Sequence, residues 1–89
     1  MPMVPATLAR AVKPATEKRI RGAFQLPGRE IRTKDQCRLE ILRLGILELS
    51  LDYASICPEG RELNKALGHF EEAYFWASAA IERNPLADE

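Results

Sequence analysis

The strongest constraint on the fold of this 89-residue chain is a proline between two long segments with helical periodicity. Pro58 has no backbone N–H, so a helix accepts it in its first turn but not in its interior. The two segments are therefore predicted to form separate helices, at about 34–55 and 58–84, and Pro85 ends the second. Because the connection is short, we expect an all-α fold built on an antiparallel helical hairpin.

The first predicted helix has an unusually wide apolar surface. Its start matches a capping box, Thr33-Lys34-Asp35-Gln36. Polar residues then recur at spacings of three and four and make one narrow stripe: Gly45, Glu48, Asp52 and Ser55. The remaining apolar positions cover a wider arc than the roughly 100° that a surface helix buries. One partner helix cannot cover this arc, which favours an oligomer.

The second predicted helix divides three adjacent aromatic residues among different faces. Its seam toward the first helix has helical spacing and comprises Leu63, Ala66, Leu67, Phe70, Ala73, Tyr74, Ala77, Ala80 and Ile81. At 100° per residue, Tyr74 on the seam places Phe75 at the flank and Trp76 nearly opposite. Ala79 is small enough to allow a close helix contact. We predict that Phe75, Trp76 and Ala79 form an interface that assembles the hairpins into an oligomeric helical bundle.

The N-terminal quarter of the chain lacks sustained periodicity. Residues 1–23 contain three prolines and a basic run at residues 18–21, and we predict a flexible basic arm. A turn at Pro27-Gly28 is expected to lead into the hairpin domain, residues 24–89. A nucleic-acid partner is not expected, because a short basic run on a flexible arm is more often a solubilising tail.

The net charge of zero hides an asymmetry between the two halves. Residues 1–43 hold ten Lys and Arg against four Asp and Glu, which gives +6, and residues 44–89 hold three against nine, which gives −6. This division is compatible with a basic surface for an anionic ligand or with head-to-tail attraction between chains. It is equally compatible with solvated surface charges that share no partner.

Several function classes lack the residues that they require. No apolar run is long enough to span a membrane, so a cytoplasmic protein without a membrane partner is expected. Cys37, Cys57 and His69 lack the paired spacing of a zinc site. No glycine-rich phosphate loop, nucleophile elbow or nucleophile with a partner base is present. We therefore expect no metal, no cofactor and no enzymatic activity.

Cations near both helix starts form the remaining chemical signal. They are Arg29, Arg32, Lys34 and Arg38 at the first start, and Arg61 and Lys65 at the second. In one antiparallel hairpin the two starts lie at opposite ends, so these groups meet only across a chain boundary. Such a boundary could combine guanidinium groups for phosphate with Phe24 for base stacking. Surface cations without a common ligand are the alternative.

Three segments resemble a known family: CPEGRE at residues 57–62, ALGHFEEA at 66–73 and FWASAAIERN at 75–84. They are similar to the helical-hairpin family of phage anti-defence sponges. This family includes the anti-CBASS protein that sequesters cyclic oligonucleotides, which this chain resembles most, and an anti-Thoeris relative that sequesters a cyclised ADP-ribose signal. The resemblance is looser over residues 24–56, where it includes Leu42-Arg43, and it does not extend to residues 1–23.

The resemblance implies that the protein binds signalling nucleotides between protomers without cleaving them, as a hexamer in the cytoplasm of the infected bacterial host. Expected ligands are 3′,3′-cyclic GMP-AMP, cyclic tri-adenylate or cyclised ADP-ribose. Arg61 matches a family arginine assigned here to phosphate contact. Phe24 and Gln25 correspond to an aromatic residue followed by a polar one, and Lys34, with Arg38 as substitute, to a basic residue early in the first helix. A structural module that docks on a larger assembly through Trp76 is the alternative function.

Overall fold

A computed structural model of the chain describes residue 5, residues 7–25 and residues 33–84. These residues contain no strand and form three helices: α1, Pro14–Ala23; α2, Thr33–Ile56; and α3, Arg61–Arg83. The predicted all-α class is confirmed, and α2 packs against α3 as expected for a hairpin. The turn predicted at Pro27-Gly28, the Thr33 side chain of the capping box and the Pro85 stop lie outside the described part.

The connection between α2 and α3 is two residues longer than predicted. The second helix starts at Arg61 rather than at Pro58, because Gly60 has φ 157° and ψ −170°. This backbone region is essentially restricted to glycine and lies outside the helical range. Helical geometry therefore begins only after Gly60, and residues 57–60 form the connection.

The seam of α3 follows the predicted helical spacing with two exceptions. Its buried residues are Leu63, Leu67, Tyr74 and Ile81. Ala73 and Ala80 are exposed, although they were placed on the seam. Both lie about 100° from the centre of the buried stripe, because successive residues turn by about 100° around a helix. The buried face of α3 is thus narrower than the sequence suggested.

The arm predicted over residues 1–23 differs from the structure, because its second half is the helix α1. Pro14 occupies the start of this helix, and Glu17 in its first turn accepts a 3.1 Å hydrogen bond from Arg21 in its last turn. Proline at the start, an acidic first turn and a basic last turn all favour a helix here. These signals were missed because ten residues with a single large apolar side chain show no period.

Helix α1 lies beside α3 and runs in the same direction. The Thr16 hydroxyl reaches Glu59 before α3, and the Tyr74 hydroxyl donates to the carbonyl oxygen of Gln25 just after α1. Between them, Ile20 is 1% exposed and Phe24 is 2% exposed. The two residues share one buried cluster with four residues of the hairpin: Ala54, Leu63, Leu67 and Tyr74. The boundary predicted between residues 23 and 24 therefore cuts through a common core.

The N-terminal residues supply the second partner that the wide apolar arc of α2 requires. Helix α1 packs on α2, while α3 covers the other side of the arc. Further along α2, the Arg10 N–H donates a 2.9 Å hydrogen bond to the Ser55 carbonyl oxygen, and Asp52 of the predicted polar stripe is buried. Ile41 and Leu44 of α2 stay exposed. The oligomer argument drawn from this arc is correspondingly weaker and now rests on these exposed residues.

Replacing Ile20 by Ala tests whether α1 belongs to the cooperative core. Ile20 is 1% exposed, whereas Ile41 on α2 is 72% exposed and provides a matched control. We expect Ile20→Ala to lower the free energy of unfolding by about 2–5 kcal/mol, and Ile41→Ala to change it by about 0.5 kcal/mol or less. Urea unfolding followed by circular dichroism measures both. Equal effects of the two substitutions would contradict a docked α1.

Candidate functional site

The cationic candidates are divided between the two ends of the hairpin. Lys34 and Arg38 lie on the first turns of α2, and Arg61 and Lys65 lie on the first turns of α3. A helix of 24 residues such as α2 is about 36 Å long. One phosphate ligand cannot bridge that distance, so a single chain does not bring these residues together. The expectation that they meet across a chain boundary stays a prediction.

At the start of α2, Arg38 forms an ion pair within its own helix, whereas Lys34 does not form one with the described residues. Arg38 Nη1 donates to Asp35 Oδ1 at 3.1 Å, and the Asp35 side chain is almost fully buried. This pair satisfies a buried carboxylate, so withdrawing Arg38 toward a ligand would leave Asp35 without this donor. Lys34 is exposed and makes no ion pair with the described residues. Lys34 is therefore the better phosphate candidate at this end.

The start of α3 presents Arg61 without a competing ion pair among the described residues. Its side chain is exposed, as is that of Lys65 one turn later. No side chain caps the helix at Gly60, so the first N–H groups of α3 lack a side-chain acceptor. Uncapped N–H groups and the positive end of the helix dipole both favour an anion. Together with a guanidinium, they suit a phosphate.

Acidic residues also flank this start. Glu59 accepts a 2.6 Å hydrogen bond from the Thr16 hydroxyl of α1, which fixes its carboxylate. Glu62 lies in the first turn of α3 and is exposed. Both carboxylates line a pocket of about 410 Å³ beside Cys57 and Leu63, to which Arg61 does not contribute. The phosphate candidate Arg61 thus lies outside this pocket, whose lining combines the two glutamates with apolar residues.

Phe24 does not fit its predicted stacking role in this structure. Its ring packs edge-on against Tyr74, with ring centroids 5.4 Å apart and planes at 88°. A stacking aromatic has to offer an open face, and only 2% of Phe24 is exposed. The missed signal was the spacing of Ile20 and Phe24, which places both on one face of α1. Gln25 follows the helix and has an exposed side chain.

Gln25 lines a groove that sequence reasoning did not identify. The groove has a volume of about 420 Å³ and lies between the end of α1 and the flank of α3. Four of its lining residues, Glu71, Phe75, Ser78 and Glu82, recur at spacings of three and four on α3. That spacing alone would have been enough to predict that these four residues share one face of α3. Ala79, a predicted interface residue, also lines this groove.

The aromatic residues beside the groove are exposed in the single chain. Phe75 is 63% exposed and Trp76 is 57% exposed, and their rings contact each other with centroids 5.3 Å apart. Tyr74 is buried, so helical geometry correctly divided the three neighbours. Two exposed aromatic rings in contact are a typical feature of a protein interface. Whether Phe75, Trp76 and Ala79 contact another copy stays a prediction.

Arg43, from the Leu42-Arg43 pair of the resemblance, is occupied within its own helix. Its guanidinium donates two hydrogen bonds to Glu40 Oε1, the one from Nε at 3.1 Å. This hydrogen bond raises the pKa of Arg43 above its ordinary value. The guanidinium is therefore charged at any physiological pH, and its charge is compensated by Glu40.

Neither a metal cluster nor a membrane span occurs in the part of the chain that the structure describes. Within residues 7–25 and 33–84, no three His, Cys, Asp or Glu side chains lie close enough to hold an ion. None of the three helices α1, α2 and α3 combines the length and apolar character that crossing a bilayer requires.

Comparison with known proteins found no matching family model, no matching curated protein and no matching solved structure.

Replacing Gly60 by Ala tests whether its backbone sets the start of α3. An added Cβ would be 3.8 Å from Glu62 Oε1, an ordinary contact, so the cost comes from the backbone angles alone. We expect Gly60→Ala to lower the free energy of unfolding by about 1–3 kcal/mol. Gly45→Ala, inside α2 with open space around the added Cβ, should raise it by about 0.5–1 kcal/mol. Urea unfolding compares the two, and stabilisation by both would refute this role of Gly60.

Proposed function

We propose that this chain is a phage anti-defence protein that binds cyclic nucleotide signals and sequesters them without cleavage, so that CBASS effectors of the infected host stay inactive. The observation that carries this proposal is the exposed Arg61 at the uncapped start of α3. Arg61 belongs to the CPEGRE segment of the resemblance, and its guanidinium together with the uncapped N–H groups of α3 can bind a phosphate oxygen beside Glu59 and Glu62. Lys65, one turn later, adds a second exposed cation on the same helix.

The distribution of the cations explains why the proposed site requires several copies. Lys34 and Arg61 lie at opposite ends of the hairpin, and each of the three proposed ligands carries more than one phosphate. A neighbouring chain can supply the second cation, and the resemblance implies a hexamer. Exposed Phe75 and Trp76, with the half-buried Ala79, provide an apolar surface for that assembly. The −6 half of one copy would then face the +6 half of the next.

Calorimetry tests the proposed ligands directly. Purified protein is titrated with 3′,3′-cyclic GMP-AMP, with cyclic tri-adenylate and with cyclised ADP-ribose, and light scattering gives the mass of each complex. We expect saturable binding of at least one nucleotide by an oligomer. The nucleotide is then recovered by heating the complex and analysed by mass spectrometry. Failure of all three to bind would refute the proposed ligand class, and recovery of a cleaved product would indicate a nuclease.

Replacing Arg61 by Ala tests the phosphate contact. Loss of a charged hydrogen bond should weaken nucleotide binding by about 1.5–3 kcal/mol. Arg83, also exposed but in the last turn of α3, provides the matched control. We expect Arg83→Ala to bind as the unchanged protein does, and both variants to keep the same mass in light scattering. Equal affinities of the two variants would exclude Arg61 from the site.

One observation favours a second function, a helical module that docks on a larger protein assembly. The exposed Phe75 and Trp76 rings are an apolar surface that a different protein could cover as well as another copy. In this case the chain would bind none of the nucleotides. Arg61→Ala would have little effect on its binding to the larger protein assembly. The calorimetric titration therefore separates the two functions.

Replacing Trp76 by Ala tests whether its ring is part of a homo-oligomer interface. We expect Trp76→Ala to reduce the mass measured by light scattering, because a large aromatic side chain at an interface contributes strongly to association. Leu8→Ala removes another exposed apolar side chain, 67% accessible and on the N-terminal segment, and should leave the mass unchanged. An unchanged mass for both variants would contradict the predicted interface.

A further inference from the structure

Helix α1 depends on the hairpin for its stability. Ten residues are too few for a helix that persists alone in water. Its apolar contacts with the core come mainly from Ile20 and from Phe24 at its C-terminal end. A segment attached by few contacts opens locally at a lower free energy than the rest of a fold. Helix α1 should therefore separate from α2 and α3 more readily than these separate from each other.

The side chain of Arg19 makes the polar attachment of α1 to α3. Its Nε donates to Glu71 Oε2 at 3.2 Å, and its Nη2 donates to Glu71 Oε1 at 3.3 Å. The third nitrogen, Nη1, donates to Asn64 Oδ1 at 3.2 Å. The guanidinium thus spans two turns of α3. Arginine also forms this kind of bidentate contact, with two parallel N–H donors, with phosphate groups.

The Arg19 contact with Glu71 is open to solvent and hence to competition. The side chains are 37% and 34% exposed, so water and dissolved anions reach both groups. An ion pair at this exposure contributes little net stability. A phosphodiester could replace the Glu71 carboxylate on Arg19 at small cost, because it offers two oxygens at similar spacing.

Separation of α1 from the hairpin would also uncover its aromatic residue. Phe24 is buried against Tyr74, and the Tyr74 hydroxyl holds the Gln25 carbonyl oxygen at 2.9 Å. Both contacts join the end of α1 to Tyr74 in the middle of α3, three residues beyond Glu71. Loss of the Arg19 attachment therefore weakens the same junction that keeps Phe24 covered.

We infer that α1 is a displaceable cover, held mainly by the burial of Ile20 and Phe24 and to a lesser extent by Arg19 and Glu71, and that a nucleotide stabilises the open form by placing a phosphate on Arg19 in place of Glu71. The released helix exposes the Phe24 ring, which can then stack on a base. This inference rests on the proposed function for its ligand. It accounts for a residue, Phe24, that is assigned to base stacking and lies buried in this structure.

Hydrogen exchange read by mass spectrometry tests the cover in the full-length protein. Glu71→Gln removes the carboxylate charge that binds Arg19. Glu72→Gln, at the next position on an exposed face, changes the net charge equally and is the matched control. Without nucleotide, Glu71→Gln should speed amide exchange within residues 17–24 by about threefold or more, as expected for loss of a half-exposed ion pair. Glu72→Gln should leave it unchanged, and exchange within residues 62–81 should be unchanged in both.

The second arm adds 3′,3′-cyclic GMP-AMP. In the unchanged protein it should speed exchange within residues 17–24, and Glu71→Gln should bind it about threefold more tightly than Glu72→Gln does. Equal exchange in the two variants without nucleotide would overturn the Arg19 attachment. Nucleotide binding that leaves α1 exchange unchanged or slower would overturn the release but not the proposed function. If 3′,3′-cyclic GMP-AMP does not bind, the arm is repeated with cyclic tri-adenylate and with cyclised ADP-ribose; failure of all three to bind would overturn both, even if Glu71→Gln frees α1.

Discussion

The apolar arc of α2 is too wide for one neighbouring helix, and the arrangement of the other elements follows from how that arc is covered. Helices α3 and α1 both pack on α2, and the buried cluster that they share includes Leu67, Tyr74, Ile20 and Phe24. The segment before α1 lies near the end of α2, where Arg10 bonds to Ser55. Apolar area removed from water contributes roughly 25 cal/mol per Å². A hairpin of α2 and α3 alone would leave the part of the α2 arc that α1 covers exposed to water, and its burial would not stabilise the fold.

The other helices of the chain cover α2 only in part, and the apolar residues that stay exposed are candidates for contacts with other molecules. Ile41 and Leu44 on α2, and Phe75 and Trp76 on α3, remain in contact with solvent. A chain of 89 residues hides only about 60–65% of its unfolded surface, so some apolar exposure is expected on size alone. What distinguishes the α3 pair is that two aromatic rings contact each other on the surface. This feature supports association more directly than the width of the α2 arc does.

Periodicity was sufficient to predict the hairpin, because α2 and α3 are long and α3 buries one continuous stripe. It also assigned Tyr74 to the interior and Phe75 and Trp76 to the surface. It failed for α1, where tertiary contacts of two apolar residues decide the structure and no repeat exists to detect. The start of α3 was predicted at Pro58, because proline is common in the first turn of a helix. The helix begins at Arg61 instead, because the backbone angles of Gly60 are not helical.

The candidate site could be predicted from the sequence only in part. Spacing identified exposed cations at both helix starts, and Lys34, Arg61 and Lys65 are exposed as expected. Spacing could not show that Arg38 is paired with buried Asp35, or that Phe24 lies against Tyr74, because both depend on packing between or within elements. The flank of α3 from Glu71 to Glu82 was overlooked because its polar positions resemble an ordinary solvated face.

The parallel course of α1 and α3 determines where added segments can be attached. Residues 7–13 lie near the connection between α2 and α3, as the Arg10 and Thr16 contacts show, whereas Asn84 lies near the start of α2. The described residues extend 47 Å along their longest axis. A label attached at residue 10 would therefore lie at the end of the hairpin that holds Arg61, and one attached at residue 84 at the end that holds Lys34. Fluorophores at the two positions would sit at opposite poles of each protomer, so their energy transfer in an assembly would report whether neighbouring copies lie head to head or head to tail.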